Sequence, residues 1–309
     1  MTLRRTLPAL LSPLLLVLTP APALAGTGAK PNAAPPPPVQ QEAKVRPALW
    51  KVSDKDTTIW LFGTIHILPA GIKWYEGPVA KAFTKADTLV TEVVESDSPD
   101  QVAKVAQIAL SNPPSNLREN LPADVRKQYE DTLTKLALPL AAFDANDPWY
   151  AAVVLSTLPV IKEGYDPTNG VETLLSAKAK ARGLPHLGLE TTEQQLGMFD
   201  ALPIATQGIY LKEVLEGFPK IETDIRAMID AWKSGKADEL ARLMNEDESD
   251  PLLMKVLLVD RNKAWAQWIA KRLEQPGTVF VAVGAGHLAG RESVQAQLAT
   301  AGIKAKRVR

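Results

Sequence analysis

The chain has 309 residues, with 35 basic and 35 acidic side chains, and it contains no cysteine. Without cysteine the protein has no disulfide, no thiolate metal ligand and no cysteine nucleophile. The balanced charge and the lack of a basic run argue against a nucleic-acid partner.

Residues 1–25 have the three parts of a secretory signal peptide. A charged start (Arg4, Arg5) precedes an apolar core (7–18) and an Ala-Leu-Ala cleavage site that ends at Ala25. We therefore predict cleavage after this alanine and a periplasmic or secreted location. The apolar core is short and contains proline, so we expect no stable membrane span after cleavage.

Residues 26–46 are rich in proline, with four consecutive prolines at 35–38, and they predict an extended tether that lacks a core. The remaining residues, 47–309, are long enough to form a single domain with a substantial apolar core.

Strands are predicted near both ends of this domain, and helices between them. Short apolar runs rich in β-branched and aromatic residues indicate strands, and 3.6-residue periodicity between glycines and prolines indicates helices. The principal predicted strands are 49–52, 57–62, 88–94, 186–189, 279–283 and 303–308, and the principal helices are 78–85, 221–232, 251–273 and 291–299.

A predicted strand followed by Gly-x-x-His occurs twice, at 57–66 (TTIWLFGTIH) and 278–287 (TVFVAVGAGH). Glycine at a strand end permits a sharp turn or a close approach. Open α/β sheets build their sites at such ends, so the two segments could bring His66 and His287 into one cleft. The alternative is two loop histidines that each form only local hydrogen bonds.

Glu92 is predicted to lie in the strand 88–94, where side-chain alternation puts it on one face with Val90 and Val94. A carboxylate between two valines is costly to bury unless it meets a cation, a metal or good hydrogen-bond donors. The alternative is an edge strand with that face in water.

Arg261 lies on the apolar stripe of the predicted helix, with Leu257, Trp265 and Trp268 at helical spacing. A buried guanidinium needs a carboxylate or a developing anion as its partner. Asn262 is adjacent and could serve the same cleft. Alternatively, Arg261 packs its stem on the tryptophans and keeps its charge in water.

Two further carboxylates and the third histidine have mainly local interpretations. Glu190 follows the strand 186–189 directly and is a site candidate, although it could also compensate a helix dipole. Glu172 is interpreted as the capping-box partner of Asn169. His186 begins its strand and is interpreted as a locally bonded histidine.

Two histidines and a carboxylate, with no thiol, suit a hard or borderline divalent ion such as manganese, cobalt or zinc. We expect His66, Glu92 and His287 to hold such an ion, which would activate water for hydrolysis without a protein nucleophile. The chain has neither the HExxH nor the GxSxG motif.

Over residues 47–309 the chain resembles the TraB/GumN family, which is itself similar to the Tiki metalloproteases and, more distantly, to erythromycin-esterase and ChaN-like proteins. The segments that carry the resemblance, in family order, are Gly63-Thr64-Ile65-His66, Glu92, Gly170-Val171-Glu172, Leu189-Glu190-Thr191 with Gln194 or Gln195, Arg261-Asn262 and Gly284-Ala285-Gly286-His287.

This resemblance implies an α/β fold, with α+β as the alternative, in which a central sheet takes strands from both chain ends. It also implies a large helical middle section and two pseudo-equivalent halves, each with a GxxH segment. In the implied cleft, His66, Glu92 and His287 are the candidate metal or catalytic groups. The implied supporting or substrate-binding groups are Arg261, Glu190, Asn262, Gly63 and Gly284.

The leading hypothesis is an exported metal-dependent hydrolase, most simply a peptidase, in which Arg261 stabilises an oxyanion or orients a carboxylate. Its substrate would be a peptide or a small molecule. One alternative is a non-catalytic protein that sequesters a peptide, haem or metal in the same cleft. Another is a metal-free hydrolase in which one histidine, paired with Glu92, acts as a general base.

Overall fold

The computed structural model describes residues 45–308, apart from residues 95, 97 and 246–249. The predicted signal peptide and nearly all of the predicted tether therefore lie outside the described residues. Within the described part of the chain, no helix is both long enough and apolar enough to cross a membrane.

The centre of the fold is a mixed sheet with the spatial order β4-β3-β5-β2-β1-β6. β1 pairs antiparallel with both β2 and β6, whereas β2, β5, β3 and β4 are parallel to one another. This architecture confirms the predicted α/β class with strands from both chain ends. The strands are β1 (Leu49–Ser53), β2 (Thr57–Thr64), β3 (Thr88–Thr91), β4 (His186–Gly188), β5 (Gly277–Gly284) and β6 (Lys306–Arg307).

Helices cover the sheet and fill the middle of the chain. The predicted helix 251–273 is a continuous helical stretch in which a π-helical segment, Lys255–Val259, joins α11 to α12. The helices are α1 (Gly77–Thr84), α2 (Pro99–Ile108), α3 (Leu117–Asn120), α4 (Ala123–Lys135), α5 (Pro148–Lys162), α6 (Val171–Arg182), α7 (Thr192–Asp200), α8 (Ile204–Gly217), α9 (Ile221–Lys233), α10 (Ala237–Asn245), α11 (Pro251–Met254), α12 (Asp260–Arg272) and α13 (Val294–Thr300).

Both faces of β5 are buried, as its continuous apolar sequence predicts. Successive side chains of a strand point to opposite faces. Phe280 and Ala282 accordingly join the apolar cluster that contains residues of α1, α6 and α9, and Val281 joins the cluster that contains residues of α12 and α13. A third apolar cluster lies among the middle helices, where Trp149 is fully buried. Apolar packing therefore holds the sheet on both of its faces.

The parallel pairing of β2 with β5 brings together the two strands that lead into Gly-x-x-His. Thr64 lies opposite Gly284 in the register, so both strands end at the same edge of the sheet. The two histidine segments thus start from neighbouring points, although they are distant in sequence.

Three predicted strands, 88–94, 186–189 and 303–308, are longer than the observed ones. The strand predicted at 88–94 ends at Thr91, whose side-chain hydroxyl donates to the Val93 carbonyl, a local bond that accompanies the turn of the backbone out of the strand. The predicted alternation therefore fails beyond this point, and Val94 is 42% exposed. Of the strand predicted at 303–308, only Lys306–Arg307 forms β6, and the Val308 N–H also donates to the Leu49 carbonyl of β1 at 2.8 Å.

Candidate active site at the carboxyl ends of the strands

The candidate site residues converge at the edge of the sheet where the parallel strands end, the usual location of sites in open α/β sheets. His66 follows β2, Glu92 follows β3 and Glu190 follows β4, while His287 lies in a short 3₁₀ turn, Ala285–Leu288, after β5. The helix α12 adds Arg261 and Asn262 from one side of the sheet.

Arg261 forms ion pairs with two carboxylates at once. Its NH2 group donates to Glu92 Oε2 at 2.6 Å, and its Nε and NH2 groups donate to the two oxygens of Glu190, each at 2.9 Å. The side chains of Arg261 and Glu92 are each only 3% exposed. Trp265 Nε1 donates to Glu190 Oε1 at 3.0 Å. The edge-strand alternative for Glu92 is therefore wrong, because the carboxylate is buried and paired.

Glu92 is held as a carboxylate by donors from three directions. In addition to Arg261, the backbone N–H of Gly284 donates to Oε1 at 2.7 Å and Gln195 Nε2 donates to Oε2 at 3.0 Å. Burial alone would raise the pKa of Glu92, but the charge of Arg261, together with the bond from the Gly284 N–H, lowers this pKa to about 2. Burial raises the pKa of the neighbouring Glu190, partly offset by Arg261.

His287 is a neutral imidazole with a defined tautomer. Asn262 Nδ2 donates to the Glu292 carbonyl at 2.7 Å, which turns Asn262 Oδ1 towards His287 Nδ1, also at 2.7 Å. Since arginine can only donate, the 3.1 Å contact from Arg261 NH1 makes His287 Nε2 an acceptor. Burial and the Arg261 charge lower the pKa of His287 to about 3. The proton of the ring is therefore on Nδ1.

His66 is held by Glu172, a carboxylate that the sequence patterns had interpreted as a helix-capping group. Its Nδ1 lies 2.8 Å from Glu172 Oε1, an oxygen to which the Thr64 hydroxyl also donates. The capping-box interpretation of Glu172 is wrong, since α6 begins after Gly170 and Asn169 belongs to a preceding 3₁₀ turn. Glu172 instead points inward and is 8% exposed.

A close backbone contact places Glu172 beside His66. A Cβ atom on Gly170 would lie 2.2 Å from the His66 carbonyl oxygen, so only glycine lets the start of α6 come this near. Val171 N–H then donates to the Ile65 carbonyl at 3.1 Å. The Gly170-Val171-Glu172 segment of the family resemblance was the signal that could have identified this carboxylate.

Gly284 lies where the charged and imidazole groups converge. A Cβ on this glycine would be 3.0 Å from Glu92 Oε1, 3.6 Å from His287 Cδ2 and 3.7 Å from His66 Nε2. Gly63 is different, because its Cβ would press on Ala285 Cα at 3.0 Å and its carbonyl accepts from Trp232 Nε1. The missing side chain of Gly284 therefore leaves space between Glu92, His66 and His287. The missing side chain of Gly63 instead lets the backbone pack closely against Ala285.

The remaining polar candidates divide between the cluster and its surroundings. His186 Nε2 lies 2.8 Å from the hydroxyl of Thr91 on the neighbouring strand β3, a partner that is distant in sequence. Gln194 accepts from Thr191 N–H at the start of α7, whereas the next residue, Gln195, is the one that donates to Glu92. Gln195 is therefore the member of the glutamine pair that belongs to the cluster.

The side chains of His66, Glu92 and His287 are of chemical types that bind divalent ions. Two imidazoles and a carboxylate occur together in zinc enzymes, and metal-binding histidines commonly donate through their second nitrogen to a carboxylate or amide, as Glu172 and Asn262 allow here. As the side chains stand, no group of three or more His, Asp or Glu residues in the described ranges has the geometry of a metal site. His287 Nε2 is instead engaged by Arg261.

Two cavities adjoin the site. The first has a volume of about 40 Å³ and is lined by His66, Glu92 and His287 together with apolar side chains. The second is a larger groove of about 770 Å³ between α7 and α12, lined by Glu190, Arg261 and Met198 among others. Arg261 lines the groove but not the smaller cavity.

The fold and the cluster define an α/β protein with a buried His–Glu–Arg centre at the carboxyl ends of its parallel strands. The family model described as the TraB/PrgY/gumN family matches residues 48–307, so the chain belongs to that family. Comparisons with curated proteins and with solved structures gave no match.

Proposed function

We propose that the protein is an exported hydrolase, specifically a peptidase, that activates water between His66, Glu92 and His287. The observation that carries this proposal is the convergence of atoms of these three side chains within 4 Å of the position that a Cβ on Gly284 would occupy. Convergent groups of this kind at strand ends are typical of catalytic sites.

In the metal-dependent form of the proposal, His66, Glu92 and His287 would hold a divalent manganese, cobalt or zinc ion. Such an ion, when bound, lowers the pKa of its water and polarises the substrate carbonyl. Glu172 and Asn262 contact the Nδ1 atoms of the two imidazoles and so direct Nε2 of each ring to the cluster.

A metal-free form is favoured by two contacts, the Arg261 bond to His287 Nε2 and the His66–Glu172 pair. In this form His66 takes a proton from water and Glu172 orients the imidazole, the arrangement of a general base. The sequence hypothesis paired the base with Glu92, but the structure gives His66 a different carboxylate partner.

The role of Arg261 follows from its contacts. All of its N–H groups are directed at protein acceptors, which are Glu92, Glu190, His287 Nε2 and the Leu257 carbonyl. Arg261 is therefore suited to orient carboxylates, and the alternative role of oxyanion donor has no support in this arrangement.

The test combines metal analysis with a peptide-library screen on protein purified without chelator. We expect His66→Ala and His287→Ala each to lower hydrolysis at least about 100-fold, as removal of a principal catalytic group does. His186→Ala is the matched control, because this third histidine lies outside the cluster, and it should retain activity.

The metal measurement separates the two forms of the proposal. Stoichiometric manganese, cobalt or zinc that disappears in both variants, with chelator-sensitive activity, supports the metal-dependent form. Activity that survives chelation supports the His66–Glu172 base. Wild-type metal content and hydrolysis in both variants would overturn the proposal.

Export is a separate part of the proposal and rests on the signal-like residues 1–25. Mass spectrometry of the protein recovered outside the cytoplasm should find Gly26 as its first residue. Recovery of the chain only from the cytoplasm, with its N-terminal segment intact, would contradict this part.

A further inference from the structure

The cavity of about 40 Å³ has one wall that carries polar and charged side chains and another wall that is apolar. The strand ends contribute His66, Glu92 and His287, whereas the helices α5, α9 and α10 contribute only apolar side chains. Those side chains, with the isoleucines that flank His66, are Ile65, Ile67, Val160, Ile225, Met228 and Met244. All six are buried, and none carries a side-chain hydrogen-bond donor or an acceptor stronger than a methionine sulfur.

On the basis of the proposed hydrolase, we infer that its substrate presents a short aliphatic group, of alanine to valine size, to this cavity. A charged or amide side chain that packs against the six apolar residues would lose its hydration there without gaining a strong hydrogen bond from them. An aliphatic group is instead favoured in proportion to the apolar surface that it buries.

The cavity volume sets the upper limit on the size of this group. An apolar cavity of about 150 Å³ accommodates a benzene ring. The cavity beside the cluster measures about 40 Å³, which leaves room for a few carbon atoms and excludes an aromatic ring.

Met228 and Met244 are the residues that we expect to determine this size limit. Met228 comes from α9 and Met244 from α10, and they are 4% and 8% exposed. Methionine side chains fill irregular space, so shortening one enlarges the cavity without introducing a polar group. Met228→Ala should therefore admit an aromatic ring.

The activity test uses peptides that differ only in the residue next to the cleaved bond, which is alanine, valine, phenylalanine or lysine. We expect kcat/KM for the valine peptide to exceed that for phenylalanine and lysine by at least about 10-fold, a typical effect of pocket fit. Met228→Ala should raise the phenylalanine-to-valine ratio at least about 10-fold. Met198→Ala, in the separate groove, is the matched control and should leave the ratio unchanged. Equal rates for lysine and valine would overturn the inference.

A binding measurement does not depend on hydrolysis. With methionine methyl groups labelled by carbon-13, isobutyramide should shift the NMR signals of Met228 and Met244 in the wild-type protein and leave Met198 and Met254 unchanged. Benzamide, with its larger ring, should produce no such shift. This wild-type measurement also covers the case in which Met228→Ala fails to fold.

The two measurements distinguish failure of the inference from failure of the proposed function. Selective shifts by isobutyramide without hydrolysis of any peptide would reject the hydrolase and retain the aliphatic cavity. Hydrolysis together with equal shifts by benzamide, or with no shift at Met228 and Met244, would reject the aliphatic cavity and retain the hydrolase.

Discussion

Replacement of Arg261 by methionine should lower the free energy of unfolding by about 3–5 kcal/mol, the usual effect of removing one partner from a buried ion pair. The guanidinium is the shared partner of Glu92 and Glu190, and Arg261 and Glu92 are each 3% exposed. Without this cation, two buried carboxylates remain close together. Urea unfolding at pH 7, in buffer with chelator, measures the loss.

Arg226→Met is the matched control for this substitution. Arg226 pairs with Glu222 one helical turn away on the exposed side of α9, so its removal should cost no more than about 0.5 kcal/mol. A loss below about 1 kcal/mol for Arg261→Met would mean that the buried pairs contribute far less than their geometry indicates.

The pH dependence of the Arg261→Met effect provides a second check. In the wild type the pKa of Glu92 is lowered from 4.5 to about 2, so its stabilising contribution is complete above 4.5 and is lost as the pH falls towards 2. In the variant, burial dominates and raises the pKa of the carboxyl, so acid protonates it and relieves the cost. The stability difference between the two proteins should therefore shrink as the pH falls from 7 to 4.

Gly284→Ala should abolish hydrolysis, with a loss of at least about 100-fold, because a single methyl group would occupy the point where the reacting groups converge. The backbone at this residue has φ −47°, which alanine can adopt, so the effect comes from the side chain. The new Cβ would lie 3.0 Å from Glu92 Oε1. Peptide hydrolysis and metal content, measured as for the histidine variants, test this expectation.

Gly197→Ala is the matched control for Gly284→Ala. Gly197 lies within α7, and a Cβ there meets no atom within 4 Å outside its own helix turns and neighbours. Activity should be unchanged, and the free energy of unfolding should rise by about 0.5–1 kcal/mol, since alanine favours a helix interior over glycine. An active Gly284→Ala protein would show that the convergence point is not where the chemistry occurs.

The sheet and the convergence of the two histidines were predictable because their signals are local. The segments Ile59–Phe62 and Val279–Val283 are continuous apolar runs, as burial on both faces requires, and each leads into Gly-x-x-His. The apolar stripe around Arg261 likewise indicated that its guanidinium needed a buried partner.

The partners themselves were not predictable from these patterns, because they depend on contacts between distant segments. The capping-box rule relates residues three apart, so it could not anticipate that Gly170 lets α6 approach His66 and turns Glu172 towards it. The choice of Gln195 over Gln194 depends on which face of α7 meets Glu92. The turn of the backbone after β3 is accompanied by the bond from the Thr91 hydroxyl to the Val93 carbonyl, which side-chain alternation does not predict.

The position of β5 determines when during synthesis the site can exist. This strand is made late in the chain, yet it lies at the middle of the sheet between β3 and β2, and its end supplies the Gly284 N–H to Glu92 from 192 positions away. Pairing over such a separation is slow relative to local folding. A growing or truncated chain that lacks β5 has no central strand, no His287 and no donor from Gly284. Unfinished chains that lack β5 therefore cannot assemble the cluster of His66, Glu92, Arg261 and His287.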